Sequence, residues 1–396
     1  MDGVANTSRQ YEAFAIRRSL PFLTIFGGDS DRTEYIGPVT RMELSRSRFC
    51  FAVDTKHDFD LAFLRYFDIV EPAIRDFRPD IVHITGPSEV GILGTLMAHR
   101  LRVPLAASWH TNLHQYAEQR AVSVLGWLPS GWAQALGERI REASLRATLR
   151  YYHIAKILFA PNPELIELIE KGTGKPCYLM QRGVDTVLFD PARRTRTDDG
   201  FVIGYVGRLT VEKSVRFLVD LEQELIRLGV ADFRFLIVGQ GSEEAWLRAN
   251  LRNAEFTGIL TGEALGRAYA NMDVFAFPSR TDTYGNVVLE ALASGVPAVV
   301  TNSGGPQFIV HQGENGFVTS DLLDFASCVE SLIRNRPQLA AMRRSARARA
   351  LSASWDTVFD SVYEGYERGL KSGSVASRNM RMHRVAGPCH DATGLL

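Results

Sequence analysis

A chain of 396 residues in which 45 Lys and Arg balance 45 Asp and Glu has no basic excess, which excludes broad nucleic-acid binding and leaves a size for two soluble domains. Its four cysteines, Cys50, Cys177, Cys328 and Cys389, are far apart and form no CxxC pair, which excludes a zinc-finger or disulfide scaffold and fits a reducing compartment. No apolar run approaches the ~18 residues of a membrane span and no secretory leader opens the chain, so the expected location is the cytoplasm.

Short apolar runs recur along the chain. In the first half they are PFLTIF (21–26), RFCFAV (48–53), DIVHIT (80–85), VPLAASW (103–109) and KILFAP (156–161). In the second they are FVIGYVG (201–207), FRFLIVG (233–239), DVFAFPS (273–279) and VPAVVTN (296–302). Nearly all are apolar on both faces, the pattern of parallel strands covered by helices on each side. Between them SVRFLVDLEQELIRLG (214–229) repeats apolar residues with a helical period and stops at Gly229. This alternation predicts an α/β fold of two doubly wound, Rossmann-like domains whose strand ends line a shared cleft, where ligands are expected.

The boundaries follow from where the pattern breaks. Residues 1–185 form the expected N-terminal, acceptor-side domain and 201–355 the C-terminal, ligand-binding domain. The stretch RGVDTVLFDPARRTRTDDG (182–200) has no helical period and contains the hinge, placed at 186–200. A helix at 356–371 is expected to cross back to the N-terminal domain, and 372–396, without periodicity, is expected to be disordered.

The chemistry-bearing residues fall at strand ends in the second half. GYVGRLTVEKS (204–214) brings Arg208 and Lys213 beside Gly207, a pairing suited to phosphate: the guanidinium forks onto oxygens and the ammonium acts as a point charge. FTGILTGEAL (256–265) places Gly258 in another strand-end loop. In TDTYGNVVLEALASGVPAVV (281–300), Gly285 permits close backbone approach, and the amides of Asn286 and Val287 open a helix that favours an anion. Glu290, one turn inside, would repel phosphate and is assigned to hydroxyls such as those of a ribose. Asp282 can do the same on the far side of the phosphates, so the two acids bracket a diphosphate with a sugar at each end. Taken singly, Asp282 also reads as a turn cap and Glu290 as a solvated helix residue.

These residues resemble the retaining glycosyltransferases of the GT-B fold. The signature stands here as Asp282, Tyr284, Gly285, Glu290, Ala291, Ala293, Gly295 and Pro297, with a second segment at Gly207, Arg208, Leu209, Glu212 and Lys213. SWHTN (108–112) looks like the segment whose histidine lines the sugar pocket, and with PSRTDTYGNVVLEA it is most similar to the GDP-mannose-dependent α-mannosyltransferase and sulfoquinovosyl transferase subgroup. The resemblance implies a nucleotide-sugar donor, GDP- or UDP-linked, a lipid or glycan acceptor, retention of anomeric configuration, and no metal or other cofactor. His110, Arg208, Lys213 and Asp282 become the catalytic set. Gly3, Gly207, Gly258, Tyr284, Gly285, Asn286, Val287 and Glu290 become the donor-binding set. His110 also reads as a hydrogen-bonded core histidine.

The sequence departs from the family in three places. Asp282 stands where Glu is usual. Phe308 replaces an acid common among relatives, so only Gly304 and Gly305 of that segment are carried over. MDGVANT, with Gly3, looks like the glycine loop after the family's first strand, so the sheet is expected to lack that strand and to have a central gap.

Residues 124–150 combine Trp127, Leu128 and Trp132 with Arg139, Arg141, Arg146 and Arg150; they read either as helices packed on the sheet or as a peripheral membrane contact on the inner face. A nucleotide-sugar epimerase and a non-catalytic nucleotide-sugar binding protein share the same residue pattern, and a UDP-sugar-dependent glycolipid synthase the same chemistry.

Overall fold

The first element in the computed structural model is a helix, Gly3–Arg17, where the family resemblance places a glycine loop. The structure describes residues 3–54, 57–112, 114, 118, 130–371 and 385–389. The helix extends to Gly3 because Tyr11, Phe14 and Ala15 form a buried stripe at helical spacing. The chain then runs through strands β1 (Phe22–Gly28), β2 (Arg32–Ile36), β3 (Val39–Ser45), β4 (Cys50–Asp54), β5 (His57–Asp60), β6 (Ile81–Ile84), β7 (Leu105–Ser108), β8 (Ile157–Ala160) and β9 (Cys177–Leu179). Next come β10 (Phe201–Val206), β11 (Phe233–Val238), β12 (Ala254–Gly258), β13 (Val274–Phe277), β14 (Ala298–Thr301), β15 (Gly316–Thr319) and, last, β16 (Val385–Cys389).

Two compact units result: Met1–Gln181 with Trp355–Leu396, and Arg182–Ser354. The first unit's sheet has the order β2-β3-β1-β16-β6-β7-β8-β9, parallel except where β2 meets β3. Alternate residues of each central strand enter opposite layers, as the two-residue period requires. Leu23, Val82, Leu105 and Leu158 face a core closed by Ile74, Leu93 and Ile169. Phe22, Ile81, Ala106 and Ile157 face another, closed by Phe14, Phe359 and Tyr366. Each side chain so buried contributes about 1.5–3 kcal/mol, and this is why both faces of the strands are apolar in sequence. The helix Trp355–Lys371 belongs to this unit through Phe359, Val362 and Tyr366.

Two local readings change. The slot expected to be empty between β1 and β6 is occupied by β16, from the tail read as disordered: Phe22 to Phe26 pair in register with Val385 to Cys389, and Val385 and Ala386 reach Ile81 and Val82. Both neighbours present unpaired amides and carbonyls there, so any extended segment that fits gains ladder bonds. The run at 48–53 leaves the main sheet and forms the hairpin β4–β5. Of the region 124–150, Trp127 and Leu128 lie outside the described residues. The helix Ser130–Tyr152 packs Leu145 and Leu149 on the sheet core while Trp132 stays 76% exposed. No helix among the described residues is long and apolar enough to cross a membrane.

The second unit's sheet is wholly parallel, with the order β12-β11-β10-β13-β14-β15. The chain winds outward from β10 to β12, returns to the other side of β10, and winds outward again to β15. The direction therefore reverses between β10 and β13, and the loops leaving those strands part around a crevice.

Candidate ligand site at the strand switch point

The loop after β10 carries Arg208 and Lys213; the loop after β13 carries Asp282 and ends at the helix Asn286–Ala293. Because β10 and β13 are neighbours, residues 69 apart in sequence meet: Lys213 Nζ lies 2.6 Å from Asp282 Oδ1. Both side chains are mostly buried. Ser279, wholly buried, donates its hydroxyl to Asp282 Oδ2, and Thr281 Oγ1 donates to the Glu212 carbonyl at 3.2 Å, tying the two loops together. Arg208 is more exposed, with Nη2 3.5 Å from Glu212 Oε1. Each cation thus sits beside a carboxylate, so an anion would be selected here by local geometry rather than by net charge.

The helix Asn286–Ala293 starts without a side-chain cap. Gly285 precedes it at φ 97°, in the left-handed region, and a Cβ there would come within 2.9 Å of Pro306 Cγ. The Gly304–Gly305 turn approaches just as closely: a Cβ on Gly305 would sit 2.2 Å from the Thr283 carbonyl oxygen, and the Gly305 amide donates to the Asp282 carbonyl at 2.7 Å. These glycines hold the Asp282 loop against its neighbour. Two buried side-chain oxygens, Thr210 Oγ1 and Asn286 Oδ1, have no hydrogen-bond partner among the described residues. A buried unpaired oxygen costs about 1–3 kcal/mol, and these two fall in the two loops that meet at the switch point.

Glu290 is half-buried and accepts the Tyr269 hydroxyl at 2.8 Å; burial raises its carboxyl above the usual range. A carboxylate retains further acceptor sites after one such bond. Since burial penalises the charged form, Glu290→Gln should leave the unliganded protein as stable or more stable above neutral pH. If Glu290 holds ligand hydroxyls, the same change should weaken nucleotide-sugar binding about ten- to hundredfold, the loss of one charged hydrogen bond. Titration calorimetry beside a melting curve separates the two effects; unchanged affinity would remove Glu290 from the site.

Other expected residues are placed differently. Tyr284 is buried in the core, its hydroxyl 3.3 Å from the Arg182 carbonyl, so its ring supports the loop from below. Val287 packs partly on the same core, leaving its amide as the group for a ligand. Gly207 follows β10 directly, whereas Gly258 ends β12, two strands away, and accepts the Gly239 amide at 2.8 Å. Gly3 and His110 belong to the other unit. Gly3 is helical, because the periodic stripe that follows carries the helix back to it, and His110 lies just past β7, buried, with Nε2 2.6 Å from Ser108 Oγ. Ser279, Thr210 and Tyr269 were not singled out in the sequence; Ser279 alone had a signal there, as the polar end of an apolar run. Among the described residues no group of three His, Cys, Asp or Glu could hold a metal ion.

Two family descriptions match the chain: "Glycosyl transferase 4-like domain" over residues 27–171 and "Glycosyl transferases group 1" over residues 200–335. The chain is 32% identical to the GDP-mannose-dependent alpha-mannosyltransferase of Mycolicibacterium smegmatis, covering 76% of this chain and 77% of that protein. It is 29% identical to the sulfoquinovosyl transferase SQD2 of Arabidopsis thaliana, over 71% of this chain and 55% of the relative. In fold it is similar to sucrose-phosphate synthase from Thermosynechococcus elongatus, with a TM-score of 0.68 at 17% identity over 93% and 94% of the two chains. The Anabaena protein Alr3699/HepE in complex with UDP and glucose gives 0.66 at 16% identity over 92% and 96%.

Proposed function

Because the chain belongs to the group 1 glycosyltransferases of the GT-B fold, we propose that it transfers mannose from GDP-mannose to a lipid or glycan acceptor with retention of anomeric configuration. The observation that carries this reading is the Lys213–Asp282 pair at 2.6 Å: a cation for phosphate beside a carboxylate for hydroxyls matches the junction of diphosphate and hexose. Asp282 holds the hexose hydroxyls, with its orientation set by Ser279. The amides of Asn286 and Val287 take phosphate or sugar oxygens, and Glu290 takes the ribose. As the bond from the anomeric carbon to the diphosphate breaks, negative charge grows on the departing oxygens, where Lys213 and Arg208 offset it. The new bond to the acceptor oxygen forms on the face the diphosphate leaves, and the acceptor's hydroxyl proton passes to the departing diphosphate oxygen. The acceptor is approached from the cytoplasmic side, at a membrane surface if it is a lipid.

The 29% identity to a sulfoquinovosyl transferase favours a second reading, a UDP-linked hexose. A thermal-shift panel decides between them. A donor at about 100 times its Kd stabilises by about 2.7 kcal/mol, a rise of several degrees. GDP-mannose should produce it and UDP-glucose should not. A shift with UDP-sugars alone selects the second reading, and no shift with any nucleotide-sugar rejects both.

A further inference from the structure

The first unit's sheet ends on an uncovered edge. Its outermost strand is β2, joined to β3 by the two-residue turn Gly37–Pro38, with Gly37 at φ 58°. Phe22 N donates to the Pro38 carbonyl at 3.1 Å, and backbone groups alternate sides along a strand. The even-numbered residues of β3 therefore bond β1, while Val39, Arg41 and Glu43 bond their β2 partners Ile36, Glu34 and Arg32. This leaves the amides and carbonyls of Thr33 and Tyr35 pointing outward, away from β3. Both residues are exposed, Tyr35 at 80%. Such an edge is a template for another strand. The usual guards, lysine, proline or a bulge, are missing from RTEYI, and its two charges are of opposite sign.

A row of alternating charge runs toward this edge. Glu12, in the helix Gly3–Arg17, meets Arg41 at 3.2 Å, Arg41 meets Glu34 at 3.6 Å, and Glu34 meets Arg32 at 2.5 Å. Arg32 ends the row with 66% of its side chain exposed.

We propose that β2 is a dimerisation strand: a second copy of this chain pairs with it antiparallel about a twofold axis at Thr33, joining the two first-unit sheets into one. The outward groups of Thr33 and Tyr35 admit axes at Thr33, Glu34 or Tyr35. An axis at Glu34 sets that carboxylate against its own copy. An axis at Tyr35 leaves Thr33 facing Gly37 and Arg32 facing Pro38, with no charge pair. An axis at Thr33 sets Arg32 of each copy opposite Glu34 of the other, so the charge row continues across the junction. It also lays each exposed Tyr35 ring beside Thr33 of the second copy. An edge this short buries little area, so the dimer forms at micromolar rather than nanomolar chain concentrations. No residue of the candidate ligand site takes part, so dimerisation and transfer stand or fall separately.

Sedimentation velocity on the full chain, from about 1 to 200 µM, should show the mass rising from one chain to two. Arg32→Glu sets acid against acid and Glu34→Arg sets base against base, so either variant alone should raise the dissociation constant about tenfold. An equimolar mixture of the two should dimerise like wild type, because one chain then offers two acids and the other two bases. In Glu34→Arg, Arg41 keeps Glu12, so the fold is retained, and melting curves check this. Thr33→Pro removes an outward amide that β3 does not use and should stay monomeric throughout. A wild type that is monomeric at every concentration overturns the interface. So does a mixture no more dimeric than its components, or a dimer that Thr33→Pro leaves intact.

Discussion

Lys213→Ala is expected to lower kcat/KM by about 100- to 1,000-fold while the protein still folds. Lys213 holds its ammonium 2.6 Å from Asp282 in a mostly buried loop, so its charge acts through little water on whatever binds beside that carboxylate. In the ground state the diphosphate is already anionic and the gain from Lys213 is partial. The gain peaks as the bond to the hexose breaks and the terminal phosphate takes up a further charge, so the loss should appear mainly in kcat. Asp282 keeps the hydroxyl of Ser279 when the lysine is removed, which limits the structural cost. Lys213→Arg is not expected to restore activity fully, because a planar fork replaces a point charge. Steady-state kinetics with the donor identified by thermal shift provides the check, with melting of the variant as the control for folding. Near-normal turnover in Lys213→Ala would remove this residue from the reaction and with it the phosphate side of the proposed site.

Asp273→Ala should cost about 3–5 kcal/mol of stability, a large part of the ~5–15 kcal/mol that holds a domain of this size. Asp273 is 4% exposed and receives Arg194 at 3.0 Å, Arg196 at 2.9 Å, Arg343 at 3.5 Å and the Val202 amide at 3.0 Å. One carboxylate therefore joins the segment read as the hinge, the helix Arg336–Leu351 and the first strand of the second unit's sheet. Removing it leaves three guanidinium groups close together with no common counter-charge. Arg343 is the most strained: burial, then repulsion from Arg194, already lowers its hold on its proton. Asp273→Asn should lose nearly as much, since shape is kept and charge is not. Urea unfolding followed by tryptophan fluorescence should show the midpoint falling with an unchanged slope. A stability within ~0.5 kcal/mol of wild type would mean that the arginines find water or other acceptors, and that the cluster does not anchor the segment.

The sequence by itself determined the fold class and put the candidate site residues in the loops at strand ends. Runs apolar on both faces indicate strands covered on both sides, with the periodic segments between them as the covering helices, and all but the run at 48–53 joined the two main sheets. Glycines beside cations and acids follow the ends of those runs, such as Gly207 with Arg208 and Lys213 or Gly285 with Asp282 and Glu290. Periodicity reports which way a side chain faces, and does so from neighbours a few residues away.

It does not report which strands pair, and three results depended on that. The order β12-β11-β10-β13-β14-β15 made β10 and β13 neighbours and so brought Lys213 to Asp282. The slot beside β1 accepted Val385–Cys389, a segment with Gly387 and Pro388 and no strand signature, because open ladder groups on both sides outweigh local propensity. Tyr284, one of the expected ligand residues, turned into the core, where its hydroxyl meets the Arg182 carbonyl. The hydrogen bond between the Tyr11 and Tyr366 hydroxyls is the same kind of fact: the two residues are 355 apart in sequence and carry no shared pattern. Such contacts are settled by long-range packing and by the requirement that buried polar groups find partners, and neither constraint is written in any short stretch of sequence.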